Sequence, residues 1–271
     1  MSNPSNINNS KKTHQVNIGR VDGDLHGVTI AGRDVKELAI DTLKVNIFED
    51  DDAPREYRER NDIREMMQKV WITRRLEPLL QEAASPETLF ELCPNAVEHP
   101  WANIVDTSDQ KRELLLVGKS LVDVFNEMQG ALLLLGEPGV ARTILLLDIV
   151  QQALEWAEDP DQPLPVVIPM GWWTNTKQSF AEWLVTILNE KYAIRKTSAH
   201  EWLDNGLFML CLDDLEQIGK DKQRAACITA INDFYQEHGL TQMIVCCHPT
   251  SYEATKARLQ LQGAVALKTA A

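Results

Sequence analysis

From residue 131 onward, apolar and polar positions alternate in blocks. Short apolar runs at residues 131–135, 166–169, 207–212, 242–246 and, more weakly, 264–267 read as strands, while segments 144–156, 180–190 and 224–238 carry apolar residues at helical spacing. Unbroken apolar strands joined by helical crossovers predict an α/β fold: a five-stranded, mainly parallel sheet with helices on both faces. Ligands of such sheets bind beyond the carboxyl ends of the strands.

Upstream the pattern changes. Residues 55–83 place Ile63, Met66, Met67, Val70, Trp71, Leu76, Leu79 and Leu80 at helical spacing, with Pro78 marking a bend or boundary. Residues 94–101 read as irregular, and residues 114–128 as a helix burying Leu121, Val124 and Phe125. Between residues 14 and 36, Val16, Ile18, Val21, Leu25, Val28 and Ile30 are broken by Gly19, Gly23, Gly27 and Gly32, which predicts a short β-hairpin element. Residues 1–13 are polar and low in complexity and read as a disordered tail; the acidic stretch Glu49 to Asp52, followed by Pro54, reads as a linker. The expected division is thus a tail (1–13), a small β element with its linker (14–54), a helical region (55–130) and a core (131–271).

Composition narrows the function classes. With 40 acidic against 27 basic residues the formal charge is -13, which disfavours nucleic acid and acidic membrane surfaces as partners. The basic residues of 55–75 are interleaved with Glu56, Glu59, Asp62 and Glu65, so they read as a salt-bridged helix face. Neither a secretory signal nor a run of 18 apolar residues occurs, and the five cysteines lack metal-ligand spacing, so buried free thiols and a cytoplasmic setting are expected. Trp71, Trp156, Trp183 and Trp202 lie in helical apolar patterns and are expected in the core, whereas Trp172 and Trp173 could also line a site edge. Ser179 and Ser251 lack ordered His/Asp partners for a hydrolase triad.

Chemistry is concentrated at two strand ends. The first run passes through Gly136, Glu137, Pro138, Gly139, Val140, Ala141, Arg142 and Thr143 into a helical stretch, the context of a phosphate-binding Walker A loop. Against the template G-x-x-x-x-G-K-[ST], Gly136 and Thr143 match, Ala141 replaces the second glycine and Arg142 the lysine. Alanine adds bulk where backbone amides must approach phosphate, and the planar arginine fork is larger than the ammonium it replaces. Thr143 keeps the hydroxyl for a magnesium ion, and the helix N-terminus keeps its amides for an anion. The third run ends in Asp213, Asp214, Leu215, Glu216 and Gln217, a Walker B arrangement in which Asp213 serves the metal.

These motifs, together with residues 179–184 and 246–253 and the upstream segments around Trp71 and 94–101, resemble NACHT domains of the STAND class of P-loop signalling nucleoside-triphosphatases, in particular bacterial and cyanobacterial ones. The resemblance spans about residues 55–267. It implies a P-loop NTPase core binding ATP or GTP with Mg²⁺ through residues 136–143, with Thr143 and Asp213 on the metal side. It further implies Asp213 and Glu216 as the catalytic carboxylates and His248 at the γ-phosphate sensor position.

The family reads Gly-Lys-Thr-Thr at residues 141–144, Asp-Gly-Leu-Asp-Glu at 213–217 and Cys-Ser-Arg at 246–248, so all three motifs have drifted here. Two readings stand: a signalling module with weakened or lost hydrolysis, and an inactive pseudo-NTPase scaffold that pairs with a complete STAND protein or with itself. The lid segments of STAND proteins do not follow the fifth run, so a core truncated there, or a remnant of a longer protein, is a further expectation.

Overall fold

In the computed structural model, which describes residues 37–40, 43–46, 55–82, 89–98, 115–116, 119–173 and 178–268, the late apolar runs become strands of one sheet. The chain divides into two units, Met1–Arg58 and Glu59–Ala271. In the first, β1 (Glu37–Ile40) and β2 (Leu43–Asn46) pair antiparallel, with Glu37 opposite Asn46. The tail, the hairpin expected at 14–36 and the acidic linker lie outside the described residues.

The second unit holds a mixed sheet of seven strands among the described residues: β3 (Leu89–Leu92), β4 (Leu115–Leu116), β5 (Ala131–Leu135), β6 (Leu164–Pro169), β7 (Phe208–Asp213), β8 (Gln242–Cys247) and β9 (Gly263–Lys268). Their order is β4-β3-β9-β5-β8-β7-β6. The last five in this order are mutually parallel, as the apolar runs predict, while β3 runs antiparallel to both β9 and β4. The expectation of five strands is therefore corrected to seven. β3 is too short to show a period, and β4 lies inside the stretch 114–128 that reads as helix; among the described residues of that stretch, Leu121–Glu127 is helical (α3).

The helices follow from the crossovers. The chain leaves β5 through α4 (Val140–Trp156) to the far edge at β6 and returns through α5 (Phe180–Tyr192) and α6 (Lys196–Asp204) to β7, then through α7 (Asp221–Glu237) to β8. Right-handed crossovers in opposite directions put α4 on one face and α5 to α7 on the other. The connection through α8 (Pro249–Ala254) carries the chain past β5 to β9, so the strand order reverses around β5. At β6, the outer strand, prolines 165 and 169 are tolerated and the Tyr192 hydroxyl donates to the Val167 carbonyl.

The upstream helical region is α1 (Arg55–Met67), a π-helix (Gln68–Leu76) and α2 (Glu77–Glu82) in succession. The wider π turn, in which the Glu77 amide donates to Ile72 O, carries the buried seam from Met67 to Ile72 instead of Trp71. Ile63, Met67, Ile72 and Leu76 thus share the core, while Val70 and Leu80, read as apolar-face residues, are exposed. Pro78 sits at the second position of α2 without ending the helical run. Trp183 and Trp202 are buried as expected; Trp156, at the last turn of α4, is 41% exposed, which corrects its core assignment. The five cysteines are free, and all but Cys93 are buried. Among the described residues no helix is long and apolar enough to cross a membrane.

Candidate functional site

The register of the parallel strands brings three sequence motifs to one end of the sheet. Leu135 pairs with Cys247, and the Gly136 amide donates to Cys247 O at 3.1 Å, so the loop after β5 lies beside His248. Only β8 separates the loop strand β5 from β7, whose last residue is Asp213. At Gly136 a Cβ would come within 2.6 Å of Leu267 Cδ1 on β9, so the end of that half-buried side chain would have to shift to admit one. A Cβ at Gly139 would meet open space, so that glycine is not explained by crowding.

The loop backbone and the Arg142 side chain point to different surroundings. Residues 137–141 are exposed, α4 starts at Val140, and its first intrahelical bond runs from Thr143 N to Gly139 O. The amides of Val140, Ala141 and Arg142 therefore have no helical partner. Thr143 is half-buried in the first turn. The Arg142 side chain is 2% exposed and folds inward. Its Nη1 donates to Gly136 O at 2.9 Å, and its Nη2 donates to Glu216 Oε1 at 2.7 Å and to Asp214 Oδ1; Asp213 Oδ1 stands 3.9 Å away. Burial opposes the guanidinium charge, but Glu216, Cys246 and Asp213 outweigh it and hold the pKa above its ordinary value.

The carboxylates are occupied in turn. Asp214 adopts a left-handed backbone (φ 58), a conformation that favours glycine, at the position where the resemblance expects glycine. Its other oxygen accepts from Gln217 Nε2 at 2.8 Å. Glu216 Oε2 accepts from the His248 amide at 3.1 Å, and Asp213 Oδ1 from the Asp214 amide at 2.9 Å. Burial, and next the charge of Asp214, push the Asp213 carboxyl up to about 6, against the pull of Arg142. Over the loop, His248 Nε2 lies 2.9 Å from Glu137 Oε2, and its Nδ1 2.9 Å from Thr250 Oγ1.

Every residue singled out in the sequence thus lies at this end of the sheet. Two more, Asp214 and Gln217, were named only as departures from the resembling pattern and given no role, and a third, Arg224, was not named. Asp214 and Gln217 complete the Arg142 network, and their signal was the departure from the expected Asp-Gly-Leu-Asp-Glu. Arg224, 4% exposed on α7, donates to Glu216 O, Ile218 O and Ser251 O and so ties the 215–217 turn to α8. Only its apolar surroundings could have marked it, and in sequence an arginine on a helix reads as surface.

This donor set does not fit a hydrolytic magnesium–nucleotide. The only cation of the loop is spent on the chain's own carboxylates, and five of the six oxygens of Asp213, Asp214 and Glu216 are taken or shadowed: Asp214 and Glu216 are bonded at both oxygens, and Asp213 at one. The arrangement can hold the loop, the turn after β7 and the start of α8 as one unit. The chain matches no family model among known protein families, and no curated protein matches it.

Proposed function

We propose that this chain is a NACHT-like module of the STAND class whose phosphate loop is latched by its own side chains, and that it acts as a pseudo-NTPase: a protein-interaction scaffold. The observation that carries this reading is the buried Arg142 guanidinium bound to Gly136 O, Asp214 and Glu216. An arginine held there has no free N–H fork for phosphate at the loop mouth. Asp214, Gln217 and His248, the other drifted positions, are bonded within the same network or across it to Glu137. The partner class is protein, either a complete STAND protein or a second copy, in keeping with a formal charge of -13.

The exposed amides at the start of α4 favour a second reading, weak binding of ATP or GTP without efficient hydrolysis. One pair of measurements separates the readings and tests both against a working enzyme. Calorimetry with Mg-ATP and Mg-GTP is expected to give no saturable heat up to millimolar nucleotide for the scaffold; saturable heat without turnover identifies the weak binder. Steady phosphate release that disappears in Asp213→Ala refutes the loss of hydrolysis outright. The triple change Ala141→Gly, Arg142→Lys and Asp214→Gly is expected to open the loop and tighten nucleotide binding.

A further inference from the structure

Three carboxylates, Asp213, Asp214 and Glu216, converge where β7 ends, and the side chains of all three are at most 27% exposed. Such a group needs a counter-charge, and a hard divalent ion takes oxygen ligands of this kind, although as they stand no three acidic, histidine or cysteine side chains among the described residues are grouped to hold one. The counter-charge present is a side chain. Arg142 reaches Asp214 and Glu216 with one nitrogen and stands 3.9 Å from Asp213, while its other nitrogen is fixed to Gly136 O.

We infer that Arg142 is the resident cation of this site, supplying from within the chain the positive charge that a divalent metal ion would otherwise bring, so that the folded protein neither needs nor takes Mg²⁺ or Mn²⁺ there. The inference rests on the reading of residues 136–143 as an altered phosphate loop and names what the alteration does. A lysine ammonium is a compact point charge, whereas the guanidinium presents several N–H groups in a plane and can serve two carboxylates and a carbonyl together. A metal therefore competes with bonds already made: five of the six carboxylate oxygens accept from Arg142, from Gln217 or from the amides of Asp214 and His248, leaving one oxygen of Asp213.

The test is a Mn²⁺ titration of the full chain, following the free-ion signal by electron paramagnetic resonance, with thermal unfolding of the same samples. Wild type is expected to show no saturable Mn²⁺ site below millimolar and no Mn²⁺-dependent rise in Tm. Arg142→Gln uncovers the carboxylates and is expected to gain one site at least about tenfold tighter, with a Tm that rises with Mn²⁺. Adding Asp214→Asn to that variant should abolish the gain. A saturable site of equal affinity in wild type and Arg142→Gln overturns the inference, as does a folded Arg142→Gln protein with no site. Should Arg142→Gln not fold, Arg142→Lys decides: it keeps the charge and is expected to bind no Mn²⁺, and a site shared by it and wild type overturns the inference. Failure here leaves the scaffold reading standing, because nucleotide heat and phosphate release decide that reading independently of Mn²⁺ alone.

Discussion

Replacing Asp213 by asparagine should stabilise the protein at neutral pH, although the resemblance to NACHT domains puts this carboxylate on the metal side. Burial raises its pKa from 3.8, the value of an unburied aspartate, to about 6, a net figure that already contains the pull of Arg142. The folded-state value lies above the unfolded one, so the folded protein holds this proton between about pH 4 and pH 6 while the unfolded chain releases it. Stability from this group is therefore complete below pH 4 and falls as pH rises through the window. Two pH units at about 1.4 kcal/mol each make the ionised group cost about 3 kcal/mol above pH 6. Asparagine cannot ionise, and its Oδ1 can still accept from the Asp214 amide. For a unit of this size 1 kcal/mol corresponds to roughly 2–4 °C, so Asp213→Asn should melt roughly 6–12 °C higher at pH 7.5 and level with wild type at pH 4. Thermal unfolding followed by circular dichroism across pH 4–8 reads this directly. An Asp213→Asn protein that melts below wild type at pH 7.5, or a difference that does not grow with pH, refutes the reasoning.

Glu59 accepts from the Arg195 amide and guanidinium and from Ser198 Oγ; burial pushes its pKa up, but these bonds outweigh it and hold the carboxyl below its usual 4.5. Glu59→Gln should cost about 1–3 kcal/mol in urea unfolding at pH 7, and the deficit should shrink as pH falls through the depressed pKa and protonates the wild-type carboxylate. Tyr252→Phe removes a buried hydroxyl that donates to Ala96 O and accepts from Leu259 N, both at 2.8 Å, and should lower stability by about 1–3 kcal/mol in the same assay. Gly136→Ala drives a methyl against Leu267 Cδ1 and should cost about 1–3 kcal/mol, part of it recovered when Leu267 is also cut to alanine. In a double-mutant cycle of Arg142→Gln and Asp214→Asn, denaturant unfolding should return a coupling of about 1–3 kcal/mol, since each residue is the other's partner; additive effects would disconnect them.

The strands that positioned the candidate site were legible because they are buried on both faces. Residues 131–135, 207–212 and 242–246 are unbroken apolar runs, and the structure places strands over them to within a residue or two. What escaped has physical causes. β4 is a two-residue strand whose leucines fit a helix period equally well, and β3 takes its place by pairing with β4 and with β9, the latter far away in sequence. The π-helix defeats a 3.6-residue period by one residue per turn, so the exposed Val70 and the buried Ile72 exchanged places. At the site, the residues could be named one by one from their strand ends, but not their bonds. Periodicity assigns an arginine in the first turn of a helix to solvent, and only the converging carboxylates turn Arg142 inward.

That inward turn changes what the departures from the resembling pattern amount to. Taken singly, an arginine for lysine, an aspartate for glycine and a glutamine for glutamate each weaken a nucleotide site, and three losses together suggest decay. In the fold they meet: the aspartate at the glycine position accepts from the arginine at the lysine position and from the glutamine at the glutamate position. Asp214 also bears a left-handed backbone that costs a non-glycine residue about 1–2 kcal/mol, and two side-chain hydrogen bonds, one from a charged donor, are of the size needed to offset it. Random loss gives no reason for altered residues to satisfy one another's hydrogen bonds at a strained position. Under the proposed reading a loop held closed by these bonds does, which makes the latched state, more than the absence of a catalytic group, the property to measure.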